Sequence, residues 1–417
     1  MPAQRTRDRM AGGGQFEPRA NAAMDSGRAW LVVVAAFSSS FVVFGVVYSF
    51  GVFLQPIASE FHADPAAASA FFSITAVIYY ALGAFAGRAA DRFGPRAIVA
   101  AGAAILGLGL GLTALVDQIW AGYLTYGLGV GIGGACCYVP PLASVGGWFV
   151  KHRNTALGVA AAGTGAGTMA VPPIAAALIH HFGWRLTDVI LGTAAAIILF
   201  GCAVMVRPPP ISGRADAARR PLRHLFRRRE FLLLYVSWVL ATTALFVPFV
   251  FLPAFARDHG ASEIAAAALI SLIGGTSIVG RLVLGPIGDR VGVLRLFKIT
   301  TLMMAISYSI WLFSSSYVWL AVFAVVLGAN YGSRIAAVPA VLIELFGLDN
   351  LGATLGAFFT ATGFAALLGP PLAGIAVDLS GSYYGGILFA LATGILGFAA
   401  IAALQSEPFG PHRSDRA

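Results

Sequence analysis

Long apolar runs, each about the ~20 residues that carry a helix across bilayer hydrocarbon, recur along almost the whole chain between short polar stretches. Twelve can be delimited: 30–54, 69–89, 97–115, 119–146, 156–180, 185–206, 230–255, 264–287, 296–314, 317–345, 352–377 and 383–404. Backbone groups in lipid must be satisfied within their own segment, so each run predicts a helix. The alternating pattern of a transmembrane barrel is absent. Polar segments set the domains. A tail, 1–29, precedes a six-helix bundle over 30–206; a basic linker, 207–229, leads to a second bundle over 230–404; a tail, 405–417, ends the chain. The first tail is polar enough to predict disorder. It does not read as a signal peptide, because the first apolar run starts late and is long.

The two halves repeat at an offset of 198 residues. Asp91-Arg92-Phe93-Gly94 falls on Asp289-Arg290-Val291-Gly292, Pro141 on Pro339, and Pro172-Pro173 on Pro370-Pro371. The predicted fold is therefore all-α: two pseudo-symmetric six-helix bundles, with a substrate site near the midplane between them. Gly87-x-x-x-Asp91-Arg92 and Gly285-x-x-x-Asp289-Arg290 follow spans 2 and 8 on one face. Glycine permits close backbones, and the acids can accept hydrogen bonds or pair with arginine, so these turns are expected to latch one conformation.

Composition agrees with a membrane protein: 58% of residues are hydrophobic and 11% are charged, against about 25% charged in soluble domains. The net charge of +9 would admit nucleic acid, but its distribution points to topology instead. With both termini placed in the cytoplasm, 23 of the 27 basic residues lie on the cytoplasmic side and only Arg185 and Arg257 lie outside. That is the positive-inside pattern. The three cysteines, Cys136, Cys137 and Cys202, are spaced for neither disulfides nor a metal. No nucleotide-binding loop or catalytic constellation appears, so neither a cofactor nor an enzymatic reaction is expected.

Two basic residues remain, both inside spans: Arg281 and Arg334. A charge at such depth is expensive and marks a functional site by default. Arg281 lies about 9 Å from the predicted span end at 1.5 Å per residue, and helical side chains lean toward the N-terminus, here toward the midplane. Its repeat partner is Gly83. Arg334, about 16 Å deep, is expected to face the cavity as a second cation, with a structural hydrogen-bond hub as the alternative. No acidic residue falls in the middle of a span, so the expected ligand is an anion. Tyr48, Tyr138, Asn330 and Tyr331 are candidate hydrogen-bonding partners for it.

The run Gly87-Arg88-Ala89-Ala90-Asp91-Arg92-Phe93-Gly94-Pro95-Arg96 resembles the loop signature of the major facilitator superfamily. Residues 148–167, from Trp148-Phe149-Val150-Lys151-His152-Arg153 to Gly163-Thr164-Gly165-Ala166-Gly167, resemble the span-5 signature of the monocarboxylate transporter family. Asp25-Ser26-Gly27-Arg28-Ala29-Trp30 echoes its span-1 signature. In that family and the related oxalate–formate exchangers a span-8 arginine binds the substrate carboxylate, a position Arg281 occupies. The resemblance also implies an acid one turn earlier, linked to proton coupling, where this chain has Ser277. A family lysine of span 1 aligns with Tyr48, and the span-11 lysine of the exchangers has no counterpart.

The expectation is a secondary transporter of small organic carboxylates in a bacterial inner membrane. It would work by alternating access, with a proton as the candidate co-substrate, Arg281 as main anion ligand and Arg334 as second. Exchange of dicarboxylates or oxalate-like anions and efflux of amphipathic compounds are the alternatives.

Overall fold

A computed structural model describes residues 26–149, 153–208, 222–313, 315–346 and 351–404. The two tails and most of the linker fall outside the described residues. The described residues contain helices and no strands. They form α1 (Gly27–Phe61), α2 (Pro65–Phe93), α3 (Pro95–Thr113) and α4 (Ile119–Trp148), the last with a π-helical turn over Tyr123–Leu128. The run Arg153–Met205 breaks at Gly183 into α5 (153–182) and α6 (184–205). Then follow α7 (Arg229–Asp258), α8 (Glu263–Val291), α9 (Val293–Phe313), α10 (Tyr317–Phe346), α11 (Leu351–Ser380) and α12 (Tyr383–Ala402). A short 3₁₀ turn, Leu222–Arg227, leads from the linker into α7.

The helix breaks carry the repeat into the backbone. Positive φ among the described residues occurs at His62, Gly94 and Gly183 and again, 198 residues later, at Gly260, Gly292 and Gly381. Gly94 (φ 86°) and Gly292 (φ 91°) each separate two helices by a single residue. That one-residue turn needs a conformation that side chains other than hydrogen resist. The Asp91-Arg92 and Asp289-Arg290 pairs are thus helix ends rather than loop residues.

α1 and α7 are buried along most of their length. Other helices expose apolar side chains outward: Leu108 and Leu112 on α3, Ile197 and Val204 on α6, Ile306 on α9, Leu396 on α12. This outer apolar surface suits lipid. The bundles meet along α1–α7, α2–α11 and α5–α8. A Cβ at Gly51 of α1 would overlap the Phe249 carbonyl of α7, and one at Gly374 of α11 would lie 2.6 Å from Ala66 Cα of α2. Small residues permit this approach.

The face where α1 starts and α12 ends is the terminal face; its opposite is the loop face. The loop face is closed. Gln55 Nε2 donates to Asp258 Oδ1 at 2.8 Å, and His180 Nδ1 of α5 lies 3.5 Å from Glu263 Oε2 of α8. Arg257 pairs with Glu263 at 3.3 Å. Toward the terminal face, no hydrogen bond, ion pair or ring contact among the described residues joins α4 to α10.

Candidate functional site

Arg281 sits on α8, which runs to Val291, about 15 Å beyond it at 1.5 Å per residue. Its neighbour Gly280 sets the rotation of α8: a Cβ there would overlap the Ala329 carbonyl of α10. With Gly280 facing α10 in its own bundle, Arg281 reaches the other bundle. Its Nη1 donates to the Ala161 carbonyl of α5 at 3.2 Å. Its Nε is buried without a partner. A guanidinium carries five N–H donors in a planar fork, and the described residues supply Ala161 O as acceptor.

Tyr138 opens a chain of rings that crosses the bundle interface. It lies 5.1 Å from Phe44 and 5.9 Å from Tyr79, centroid to centroid. Phe44 lies 5.6 Å from Tyr48. Tyr48 of α1 stacks on Phe249 of α7 at 4.2 Å and 13°, and Phe249 meets Tyr331 of α10 at 6.3 Å. The buried Tyr79 hydroxyl has no partner. Among these rings lies a cavity of about 10 Å³, bounded by Phe44, Tyr48, Phe72, Tyr79, Tyr80 and Phe246. That is room for roughly one water.

The structure links Tyr138, Tyr48 and Tyr331 through a chain of ring contacts and sets Arg281 at the same bundle interface. It places the other expected residues elsewhere. Ser277 Oγ donates to its own helix at Gly274 O, 2.8 Å away, and Ser277 packs against Gly332 within the second bundle. Asn330 Nδ2 donates to Val326 O of its own helix at 2.8 Å.

Arg334 departs from the expectation of a second cavity cation. It is 1% exposed, and its guanidinium carbon stands 4.2 Å from the Trp238 ring centroid and 5.3 Å from that of Phe297. Its Nη2 donates to Ser237 O at 3.5 Å, and its Nε, like that of Arg281, has no hydrogen-bond partner. These partners come from α7 and α9, so Arg334 is held inside the second bundle, as the hub alternative anticipated. The physical reason is the attraction of a desolvated cation to aromatic faces.

Of the expected latch, Gly87 lies against Val139 of α4, and Asp91, Arg92 and Arg290 are exposed. The side chains of Gly285 and Asp289 lie outside the described residues. The interactions that close this state use residues that sequence reasoning passed over: Gln55, Asp258, His180 and Glu263, at the opposite face. Also missed were Phe72, Tyr79, Tyr80, Phe246 and Phe249. Phe72, Ala76 and Tyr79 share one face of a helix by spacing, a signal that ordinary packing produces as well. Asp188, near the start of α6, is buried, and its Oδ2 lacks a partner.

The family model of the Major Facilitator Superfamily matches residues 36–292 and 239–417. Monocarboxylate transporter 13 of Bos taurus is 31% identical over 367 residues, covering 86% of this chain and 85% of that protein. Monocarboxylate transporter 3 of Rattus norvegicus is 30% identical, covering 88% and 77%. Among solved structures, a bacterial homolog of the human lysosomal transporter Spinster, inward-facing and unoccupied, superposes with a TM-score of 0.75 at 16% identity. It covers 93% of this chain and 100% of that one.

Proposed function

Because the chain belongs to the Major Facilitator Superfamily and, within it, to the monocarboxylate transporter family, we propose that this membrane transporter carries small organic carboxylates by alternating access, with Arg281 as the carboxylate ligand. The observation that carries this reading is the placement of Arg281. It bridges the two bundles, and its buried Nε has no partner. A carboxylate would complete the fork bidentately, in the geometry guanidinium favours. Tyr138, Tyr48 and Tyr331 supply hydroxyl donors nearby. When the bundles rock apart, Arg281 and Ala161 separate, and the arginine passes from a carbonyl to the substrate.

Dicarboxylate exchange drew its support from two cavity cations. With Arg334 caged against Trp238, Arg281 is the one of the two span arginines at the bundle interface, which favours a monoanion. The positive-inside distribution puts the terminal face in the cytoplasm, so the state closed at the loop face is inward-facing. We place the protein in a bacterial inner membrane. The Asp91-Arg92 and Asp289-Arg290 helix ends are assigned to the opposite state, in which the terminal face closes. With Ser277 tied to its own helix, a proton would travel on the substrate's own carboxylate.

Uptake of labelled monocarboxylates by the full chain in proteoliposomes tests the reading. Saturable uptake stimulated by an inward proton gradient is expected. Strict dependence on an anion inside the vesicle, with no response to the gradient, would move the assignment to exchange. Uptake of neutral or cationic amphiphiles with no carboxylate transported would overturn it.

A further inference from the structure

We infer, resting on the carboxylate reading above, that the transported anion is a monocarboxylate whose remainder is a flat, uncharged aryl group. Charge sets the first limit. Among the described residues of the helices around the site, Glu60, Asp91, Glu230, Asp258, Glu263 and Glu344 stand at or near the ends of α1, α2, α7, α8 and α10. At the depth of Arg281 they leave an ammonium no carboxylate to pair with, and Arg334 is caged away from a second anion. One carboxylate brings the site to neutrality. A second carboxylate, or an added ammonium, leaves an uncompensated charge in a low-dielectric space.

Ring geometry sets the second limit. Tyr48 and Phe249 come from opposite bundles and lie nearly parallel, 13° apart at 4.2 Å. The motion that opens the loop face draws α1 from α7 and turns this stack into a slot between two parallel faces. Phe72 adds a ring 6.3 Å from Tyr48, and Phe246 one 5.4 Å from Phe72. An aryl group entering the slot replaces each lost ring contact with one of the same kind, whereas a short aliphatic acid leaves both faces to water. The unpartnered Tyr79 hydroxyl remains as a donor beside the slot. Nearly parallel walls fit a planar ring better than a quaternary ammonium, which aromatic residues enclose from several directions and which the charge of Arg281 repels.

Calorimetric binding to the detergent-solubilised full chain at neutral pH decides the matter, with phenylacetate, acetate, phenylalanine, 2-phenylethanol and glycine betaine as probes. Phenylacetate is expected to bind at least about tenfold more tightly than each of the others, a difference set by ring burial plus charge matching. Phe249→Leu should remove the advantage of phenylacetate over acetate, with a cooperative thermal unfolding transition in detergent showing that the variant is folded. Equal binding of phenylacetate and acetate to the unmodified chain overturns the aryl inference and leaves the carboxylate reading standing. Tighter binding of glycine betaine overturns it in favour of an aromatic cage. If 2-phenylethanol binds and no carboxylate does, the carboxylate reading itself falls, and this inference with it.

Discussion

Arg281 and Arg334 lie on α8 and α10, helices of the same bundle that pack directly together through Gly280, Gly328 and Gly332, and their surroundings are opposite. Arg334 is enclosed by Trp238, Phe297 and the Ser237 carbonyl, all from its own bundle. Nothing in that arrangement needs to change when the bundles rock. Each arginine leaves its Nε without a partner, but Arg281 reaches across to Ala161 in the other bundle. A cation at a surface that opens and closes cannot rely on a permanent partner. A cation inside a rigid bundle can, and aromatic faces are partners that carry no opposing charge. The contrast is between an arginine that bridges two bundles and one held within a single bundle.

The sharpest way to break this contrast is Arg281→Lys. It keeps the charge and loses the fork. Carboxylate uptake should fall at least about 100-fold, equivalent to ~2.7 kcal/mol, while the thermal midpoint in detergent stays put. Near-normal uptake would remove Arg281 from the substrate site.

Next in size is Trp238→Leu, which strips Arg334 of its nearest ring and also ends the indole bond to Thr362 Oγ1 at 2.9 Å. Loss of a buried aromatic and of a desolvated cation–π contact together predicts about 3 kcal/mol of destabilisation. Thermal unfolding should register it, and carboxylate affinity of the folded fraction should stay within about twofold. A large affinity loss would tie Arg334 to the site after all.

Gln55→Ala tests the moving interface itself. Losing one hydrogen bond to a carboxylate costs about 1.5 kcal/mol, so the population open at the loop face should rise roughly tenfold. Distances between spin labels on the loop-face ends of α1 and α7 measure this. An unchanged distribution would show that the glycine contacts alone hold the face shut.

The smallest expected effect is that of Arg334→Met. An apolar side chain of similar length in place of a buried cation is often neutral or stabilising. Stability should change by less than about 1 kcal/mol and uptake should persist. Abolished uptake in a stable Arg334→Met protein would contradict the packing role.

Much of the fold was legible because hydrophobic length is a one-dimensional property. A run of about 20 apolar residues has to become a helix in lipid, whatever its neighbours are. Helix ends were less legible: α1 runs from Gly27 to Phe61, past both edges of the apolar run 30–54, because a helix continues beyond the hydrocarbon wherever no residue stops it. In the site, Arg281 was legible from its charge, and Tyr48, Tyr138 and Tyr331 from polar groups at span depth. Tyr79, Tyr80, Phe72 and Phe246 were not, since an aromatic on a buried helix face reads the same whether it meets a neighbour or a cavity.

The sequence by itself determined the number of spans, the two-fold repeat and the position of both arginines inside spans, because period, spacing and charge are written along the chain. Which way each arginine faces was decided by tertiary structure alone. Gly280 sets the rotation of α8 by close backbone contact with α10, and Trp238 and Phe297 wait for Arg334 on helices far away in sequence. Position inside a span follows from counting residues, but orientation follows from packing, and packing exists only once the bundles have assembled.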